Sequence, residues 1–213
     1  MLVKSYFERR NKFFFTKRNT KGGNMELNKC NTDIFFNIVY QDLLLQFPRQ
    51  ELKSSDKFRE LLTSGAYEAY IASIDGDVLG YVILAHFEEY LWIDYVAILK
   101  EFHSRGYGGT LLEHIKNNFK NYHGIFLEVE MENPKMINTL KRVKFYKNHG
   151  AKKLEGRYFY PNQYGDLQMD LYYIPLKKGA VQGYEIKKVI EAVFKLLHSD
   201  ISHLGNVLSK IVF

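Results

Sequence analysis

The chain has 213 residues, of which 46% are hydrophobic and 25% charged, a globular balance that argues against disorder and suits one large domain. No apolar run approaches the ~18 residues needed to cross a bilayer, and the single cysteine, Cys30, excludes an intrachain disulfide framework or a Cys-based zinc cluster and suggests a reducing, cytoplasmic setting. The net charge of +6 would suit nucleic acid, but seven Lys/Arg and one acid fall in residues 1–24, leaving 23 of each sign in the rest; with a neutral body, neither nucleic acid nor membrane is an expected partner.

Residues 1–24 are basic, acid-poor and without sustained periodicity, with Phe13-Phe14-Phe15 between the basic clusters. They read as a transit-like peptide, a basic arm, or a stretch not translated in the native cell. Lys21-Gly22-Gly23-Asn24-Met25 can be encoded as a purine-rich bacterial ribosome-binding site followed by ATG, and the Lys, Asn, Ile, Phe and Tyr content fits an AT-rich genome. Met25 is therefore the expected start.

Apolar positions at Ile34, Phe35, Ile38, Val39, Leu43 and Leu44 predict a helix over 33–47, ended by Phe47-Pro48. A second short helix is expected at 55–63, stopping near Gly65. Strands are expected at 67–74 and 78–86, joined as a hairpin through Asp75-Gly76-Asp77. A third strand, 91–98, precedes a glycine-rich turn and a helix with Leu111, Leu112, Ile115 and Phe119 on one face. A strand at 124–131 leads to a helix with Pro134 in its first turn and Gly150 as its stop. Strands at 151–160 and 167–174 flank a turn at 164–166. Helices follow at 184–198, with Ile186, Val189, Ile190, Val193, Phe194 and Leu197 on one stripe, and at 201–212. The order gives an α/β fold: a mixed, mostly antiparallel sheet with one strand-helix-strand crossover, flanked by helices.

The turn after the third strand is the most informative segment. Gly106, Gly108 and Gly109 let backbone approach a ligand, the helix start offers unpaired N–H groups, and Arg105 adds a cation, which together suit a pyrophosphate. The plainer reading is a flexible turn before a helix. No Gly-Lys-Ser/Thr follows, and the hairpin-connected strands before it fit a dinucleotide fold poorly.

The run Val96-Ala97-Ile98-Leu99-Lys100-Glu101-Phe102-His103-Ser104-Arg105-Gly106-Tyr107-Gly108-Gly109-Thr110-Leu111-Leu112 resembles the acetyl-CoA signature of the GCN5-related N-acetyltransferases (GNATs). His103 departs from it, standing where that family has Arg or Gln. Gly80-Tyr81, Leu127-Glu128-Val129, Phe145-Tyr146-Lys147-Asn148-His149-Gly150-Ala151 and the hairpin from Tyr158 to Leu171 resemble further family segments in order, over roughly residues 27–175. The stretch between Glu128 and Tyr146 is longer than usual. The resemblance implies a GNAT domain over 25–176 and a C-terminal helical extension over 177–213 packed on it.

It also implies acetyl-CoA as co-substrate. Val96, Ala97 and Ile98 would face the pantetheine arm, a backbone N–H near Ile98 would polarise the thioester, and His103, Ser104, Arg105, Gly106, Tyr107, Gly108, Gly109 and Thr110 would hold the diphosphate. Tyr146 would be the acid, with half-buried packing as its plain alternative. Glu128 is the first candidate base. Glu130 shares its strand face, so that one of the two carboxylates is expected to have a raised pKa, and Asp94 is a rival. Glu51 is expected near the amine pocket. No histidine spacing indicates a metal. The expected substrate is a small-molecule primary amine; a protein N-terminus or lysine, and a non-catalytic acyl-CoA sensor, are the alternatives. A monomer or homodimer is expected.

Overall fold

The computed structural model describes residues 24–213, so the reading of the N-terminal tail falls, Asn24 apart, outside the described residues. The first described element is one that the hydrophobic pattern does not reveal: β1, Glu26–Lys29, which pairs antiparallel with β2 from Glu26↔Ser73 to Lys29↔Tyr70. A helical run over 32–46, α1, consists of Thr32–Ile34, a π-helical turn Phe35–Val39, and Tyr40–Gln46. The Asn31 side chain caps it, accepting the Ile34 N–H at 2.9 Å. Phe47 is extended, as a residue before proline must be, and a 3₁₀ turn Arg49–Glu51 follows. α2, Ser55–Thr63, is capped by Ser54, whose Oγ accepts the Lys57 N–H at 3.1 Å.

β2 (Glu68–Ile74) and β3 (Asp77–Phe87) form the expected hairpin, with Asp75 and Gly76 at φ 52° and 85° as the tight antiparallel turn demands. β4 (Tyr90–Ile98) continues the antiparallel series. α3 (Tyr107–Asn118) then crosses over to β5 (Gly124–Glu130), which is parallel to β4. α4 (Ile137–Asn148), β6 (Lys152–Lys153), β7 (Tyr158–Asn162), β8 (Gly165–Pro175), α5 (Gly183–Leu197) and α6 (Leu204–Lys210) complete the chain. β5 and β8 are antiparallel neighbours, and β6 and β7 share the other edge of β8. The result is an eight-stranded mixed, mostly antiparallel sheet.

Four boundaries differ from expectation. Pro134 lies in a turn before α4, because Thr139 Oγ1 accepts the Asn133 N–H at 2.9 Å and folds 133–139 back on itself. The stretch 151–160 is split into β6 and the start of β7. The hairpin turn sits at Gln163-Tyr164, earlier than 164–166. The last helix is shorter than 201–212, since Val212 leaves it to bridge Arg157.

The faces of the sheet are divided by side-chain parity. Tyr67 packs toward Phe58 of α2, with ring centroids 6.1 Å apart, while Tyr70 packs toward Phe119 after α3, at 5.6 Å. α1 and α2 join through Phe35 and Phe58. The end of α5 joins α2 on the same face, with Lys57 Nζ donating to Ser199 Oγ at 2.7 Å. Every residue of the α5 stripe is buried, and Phe194 meets Tyr158 at 6.0 Å.

Leu197 is 0% exposed. Leu197→Asp is expected to destabilise the fold by roughly 3–5 kcal/mol, the scale of core truncation with a charge left unpaired. A melting temperature equal to that of the parent would show that α5 is not part of the core.

Candidate active site

The site is built where two neighbouring strands part. β4 and β5 pair from Tyr90↔Gly124 to Ile93↔Leu127 and no further. At that point the register of β3 and β4 shifts, since Ile83 faces Tyr95 while Leu84 faces Ile93. Asp94 is the extra residue, a β-bulge that bends β4. Beyond it β4 stays with β3, and β5 stays with β8 as far as Glu130↔Met169.

Backbone alternation then decides which groups face the gap. The Leu99 N–H donates to Leu79 O at 2.8 Å, so residues 97 and 99 turn to β3, and Val96 and Ile98 turn to the open side. The Ile98 carbonyl accepts Gln46 Nε2 at 2.9 Å and, in the Nε2–H tautomer, His103 at 2.7 Å. Gln46 also donates to Asp42 at 2.6 Å, and Tyr81 donates to the same carboxylate oxygen at 3.0 Å. Asp42 is 5% exposed. This buried network ties α1 and β3 to the open end of β4.

On the α3/α4 side, a cavity of about 150 Å³ lies among Val96, Ala97 and Ile98 of β4, Gly108, Leu111 and Leu112 of α3, and Phe145 and Tyr146 of α4. The preceding loop is exposed from His103 through Gly106. Ser104 and Gly106 take φ of 61° and 85°, and the guanidinium of Arg105 lies 5.5 Å from the Phe102 ring centre. Gly106 starts α3 in the left-handed region. The other two glycines have different reasons. A Cβ on Gly108 would meet Phe145 at 3.4 Å and Ile98 at 3.9 Å, inside the cavity; one on Gly109 would lie 2.6 Å from His149 Nε2. Tyr107 and Thr110 complete this first turn of α3.

Tyr146 borders the cavity, and burial pushes its phenol up to about 12. Arg142, one helical turn earlier, pairs with Glu130 at 2.5 Å. Thus Glu130 is engaged by a cation.

The opposite side of the gap holds buried charge. Asp94 accepts Lys53 Nζ at 2.8 Å and also the Tyr67 hydroxyl. The Lys53 ammonium lies 5.5–5.9 Å from the ring centres of Tyr67, Tyr95 and Tyr160. Tyr95 and Tyr160 both donate to the Glu51 carbonyl, at 2.6 and 3.0 Å, pinning the 3₁₀ turn across β4 and β7. Glu128 is half-buried and accepts the Tyr158 hydroxyl. Burial pushes its carboxyl up to about 8, helped by Asp94 and Glu51 and opposed by Tyr158 and Lys53. The sequence had pointed to Glu130 as the source of a raised carboxyl, but burial and Asp94 supply it. Glu51 is also raised, by burial and by Glu130. Sequence reasoning missed Lys53, Tyr158, Tyr160 and Arg142, whose partners are distant in the chain. Among the described residues no group of three or more His, Cys, Asp or Glu is arranged to hold a metal ion, and no helix is long and apolar enough to cross a membrane.

The Glu128 shift carries a stability prediction. The folded chain holds this proton up to about 8, whereas a free glutamate side chain loses it near 4.5. Between those values the folded state binds more protons, so this residue's contribution falls as pH rises. Glu128→Gln removes that slope. Its melting temperature minus that of the parent should therefore grow from pH 5 to pH 9; a difference constant across melts at those pH values would refute the shift.

The model of the Acetyltransferase (GNAT) family matches residues 36–150, more than half of the chain. YjbC of Bacillus subtilis (strain 168), which carries an acetyltransferase name, is 29% identical over 113 residues, 53% of this chain and 56% of YjbC, so the match spans little more than half of that relative's length. A GNAT-family protein of Bacteroides thetaiotaomicron has the same fold, with a TM-score of 0.69 and 23% identity over 80% of this chain and 96% of that one. A GNAT-family acetyltransferase of Elizabethkingia anophelis, solved with acetyl-CoA bound, gives a TM-score of 0.53 and 19% identity over 71% of this chain and 98% of that one. With the family match over residues 36–150 and the parted strands of its sheet, the chain belongs to the GCN5-related N-acetyltransferases.

Proposed function

We propose that the protein transfers an acetyl group from acetyl-CoA to the primary amine of a small molecule. The observation that carries this reading is a carboxylate of raised pKa, Glu128, one residue past the end of the β4–β5 ladder, with a cavity bordered by Tyr146 on the other side of the same gap. Residues 25–176 are read as the catalytic domain and 177–213 as its helical extension.

The residues fit an acyl-CoA. The turn 103–110, exposed over 103–106 and with its left-handed Gly106, suits a diphosphate, and the cavity along Val96–Ile98 suits a pantetheine arm. Acetyl-CoA supplies an activated acyl carbon, whose bond to sulfur is exchanged for one to nitrogen. Glu128, as carboxylate, takes a proton from the ammonium and frees the nitrogen lone pair. The open edge of β4 offers backbone N–H groups to the acyl oxygen as it gains charge. Tyr146 holds its proton at neutral pH and gives it to the departing thiolate. As the amide forms, the nitrogen sheds its second proton to water; water also takes the proton held by Glu128 and returns one to Tyr146, so that one proton is released in each turnover.

The small-molecule reading rests on enclosure. The Glu51 turn is fastened by Tyr95 and Tyr160, which closes one wall beside Glu128. Glu51 and Glu128 place two carboxyl groups on this side, and the ionised form of Glu128 suits an ammonium.

Gly108→Asp should abolish acetyl-CoA binding in calorimetric titration, because the new side chain enters the cavity between Ile98 and Phe145. Wild-type affinity would put the cofactor elsewhere. Thiol release from acetyl-CoA, measured with a panel of small amines and with peptides, tests the function itself. Turnover confined to peptides would replace the small amine by a protein, and binding without turnover of any amine would favour a sensor. In the same assay Tyr146→Phe should lower kcat by ~10²-fold with acetyl-CoA affinity retained. An unchanged kcat where chemistry limits the rate would leave Tyr146 a packing residue.

A further inference from the structure

Lys53 is unused by the mechanism above, yet its side chain is only 5% accessible and that of its partner Asp94 only 1%. A buried ammonium persists only with a counter-charge and other favourable contacts. Asp94 supplies the charge at 2.8 Å, and the faces of three tyrosines supply the rest. The Tyr67 hydroxyl fixes the same carboxylate oxygen.

Asp94 stands one residue beyond the ladder end in β4, and Glu128 one residue beyond it in β5. Two carboxylates thus meet across the gap in a site of low dielectric, where like charges resist joint ionisation. The groups acting on Glu128 come from each packed element: Asp94 from β4, Lys53 from the segment before α2, Glu51 from the 3₁₀ turn, and Tyr158 from β7. Tyr160 of β7 also feels its charge. Behind Lys53 lie Lys57 of α2 and the buried imidazole of His198 at the end of α5, which burial and the two lysines hold neutral.

We propose that Lys53 is a positioning residue acting through Asp94: it cancels the charge facing Glu128 across the gap and so keeps the Glu128 carboxyl able to ionise at the pH of catalysis. The proposal rests on the reading of Glu128 as the base. The signs agree, since Asp94 raises the Glu128 pKa and Lys53 lowers it, with Asp94 the stronger of the two.

The test is the pH profile of kcat/KM, with the Glu128 carboxyl titrated in parallel by carbon NMR of glutamate-labelled protein. Lys53→Met leaves Asp94 uncompensated, so the acid limb should move up by about one pH unit, roughly a tenfold loss at pH 7 that is recovered above pH 9. Asp94→Asn should move the limb down. The double variant should lie below Lys53→Met and above Asp94→Asn. A merely structural role predicts losses equal at every pH, and that result, or single variants shifting in the same direction, overturns the proposal. If Lys53→Met fails to fold, the comparison is made between Asp94→Asn and the double variant, where the limb must sit higher without Lys53. The base reading fails separately: Glu128→Gln with parental kcat would refute it while the NMR shifts persist, whereas an unshifted Glu128 titration refutes the role of Lys53 alone.

Discussion

Parallel strands β4 and β5 hold together for four residue pairs and then part at the bulge of Asp94. The rest of the site depends on this parting. Backbone polar groups inside a protein need partners, so each strand beyond the bulge keeps its outer neighbour and turns the other edge to the gap. On β4 that edge is partly satisfied by side chains: Gln46 and His103 both reach the Ile98 carbonyl, and Asp42 with Tyr81 holds Gln46 in place. His103 thereby acts as a clamp on the strand, a role that its departure from the family signature does not reveal.

The parting also concentrates charge. Asp94 and Glu128 each stand one residue past the end of the ladder, on either side of a gap that no backbone hydrogen bonds fill, and burial raises Glu128. Such a residue works against the fold at neutral pH, since the unfolded chain would ionise it freely. The surrounding tyrosines, Tyr67, Tyr95, Tyr158 and Tyr160, offset part of that cost by donating to carboxylates and to the Glu51 carbonyl. The high aromatic content has here a specific use, supplying apolar bulk and hydroxyl donors together.

Much of this was legible in the sequence, for reasons that can be located. The hairpin at Asp75-Gly76, the glycine turn before α3 and the apolar stripe of α5 are local patterns, and local geometry followed them. β1 was not legible, because four residues that are mostly exposed on a sheet edge carry no alternation. Pro134 misled because its preference for a first helical turn is weaker than the hydrogen bond between Asn133 and Thr139 that shapes the segment. Lys53 was invisible for a different reason. A lysine reads as surface, and its burial is decided by Asp94, 41 residues away, and by a tyrosine beyond position 150. Glu128 was found, but the cause of its shift was not, since the effective neighbour lies across the gap and not along the strand.

The contact between Gly109 and His149 has a mechanical consequence. The imidazole is anchored by Nδ1 to the Phe145 carbonyl at 2.8 Å, so its other edge is held against the glycine, where even a methyl group would collide. The helix that begins after Gly106 and the helix that carries Tyr146 thus come close at this point, with the anchored imidazole between them. A side chain at position 109 would have to displace that imidazole, and with it the packing of two helices that border the cavity. The β4 side of the cavity differs, because there two strands lie next to each other without a shared ladder. If the proposed acetyl transfer is right, room for a larger acyl group would come from β4, whose open end the hydrogen bonds of Gln46 and His103 to the Ile98 carbonyl hold in place.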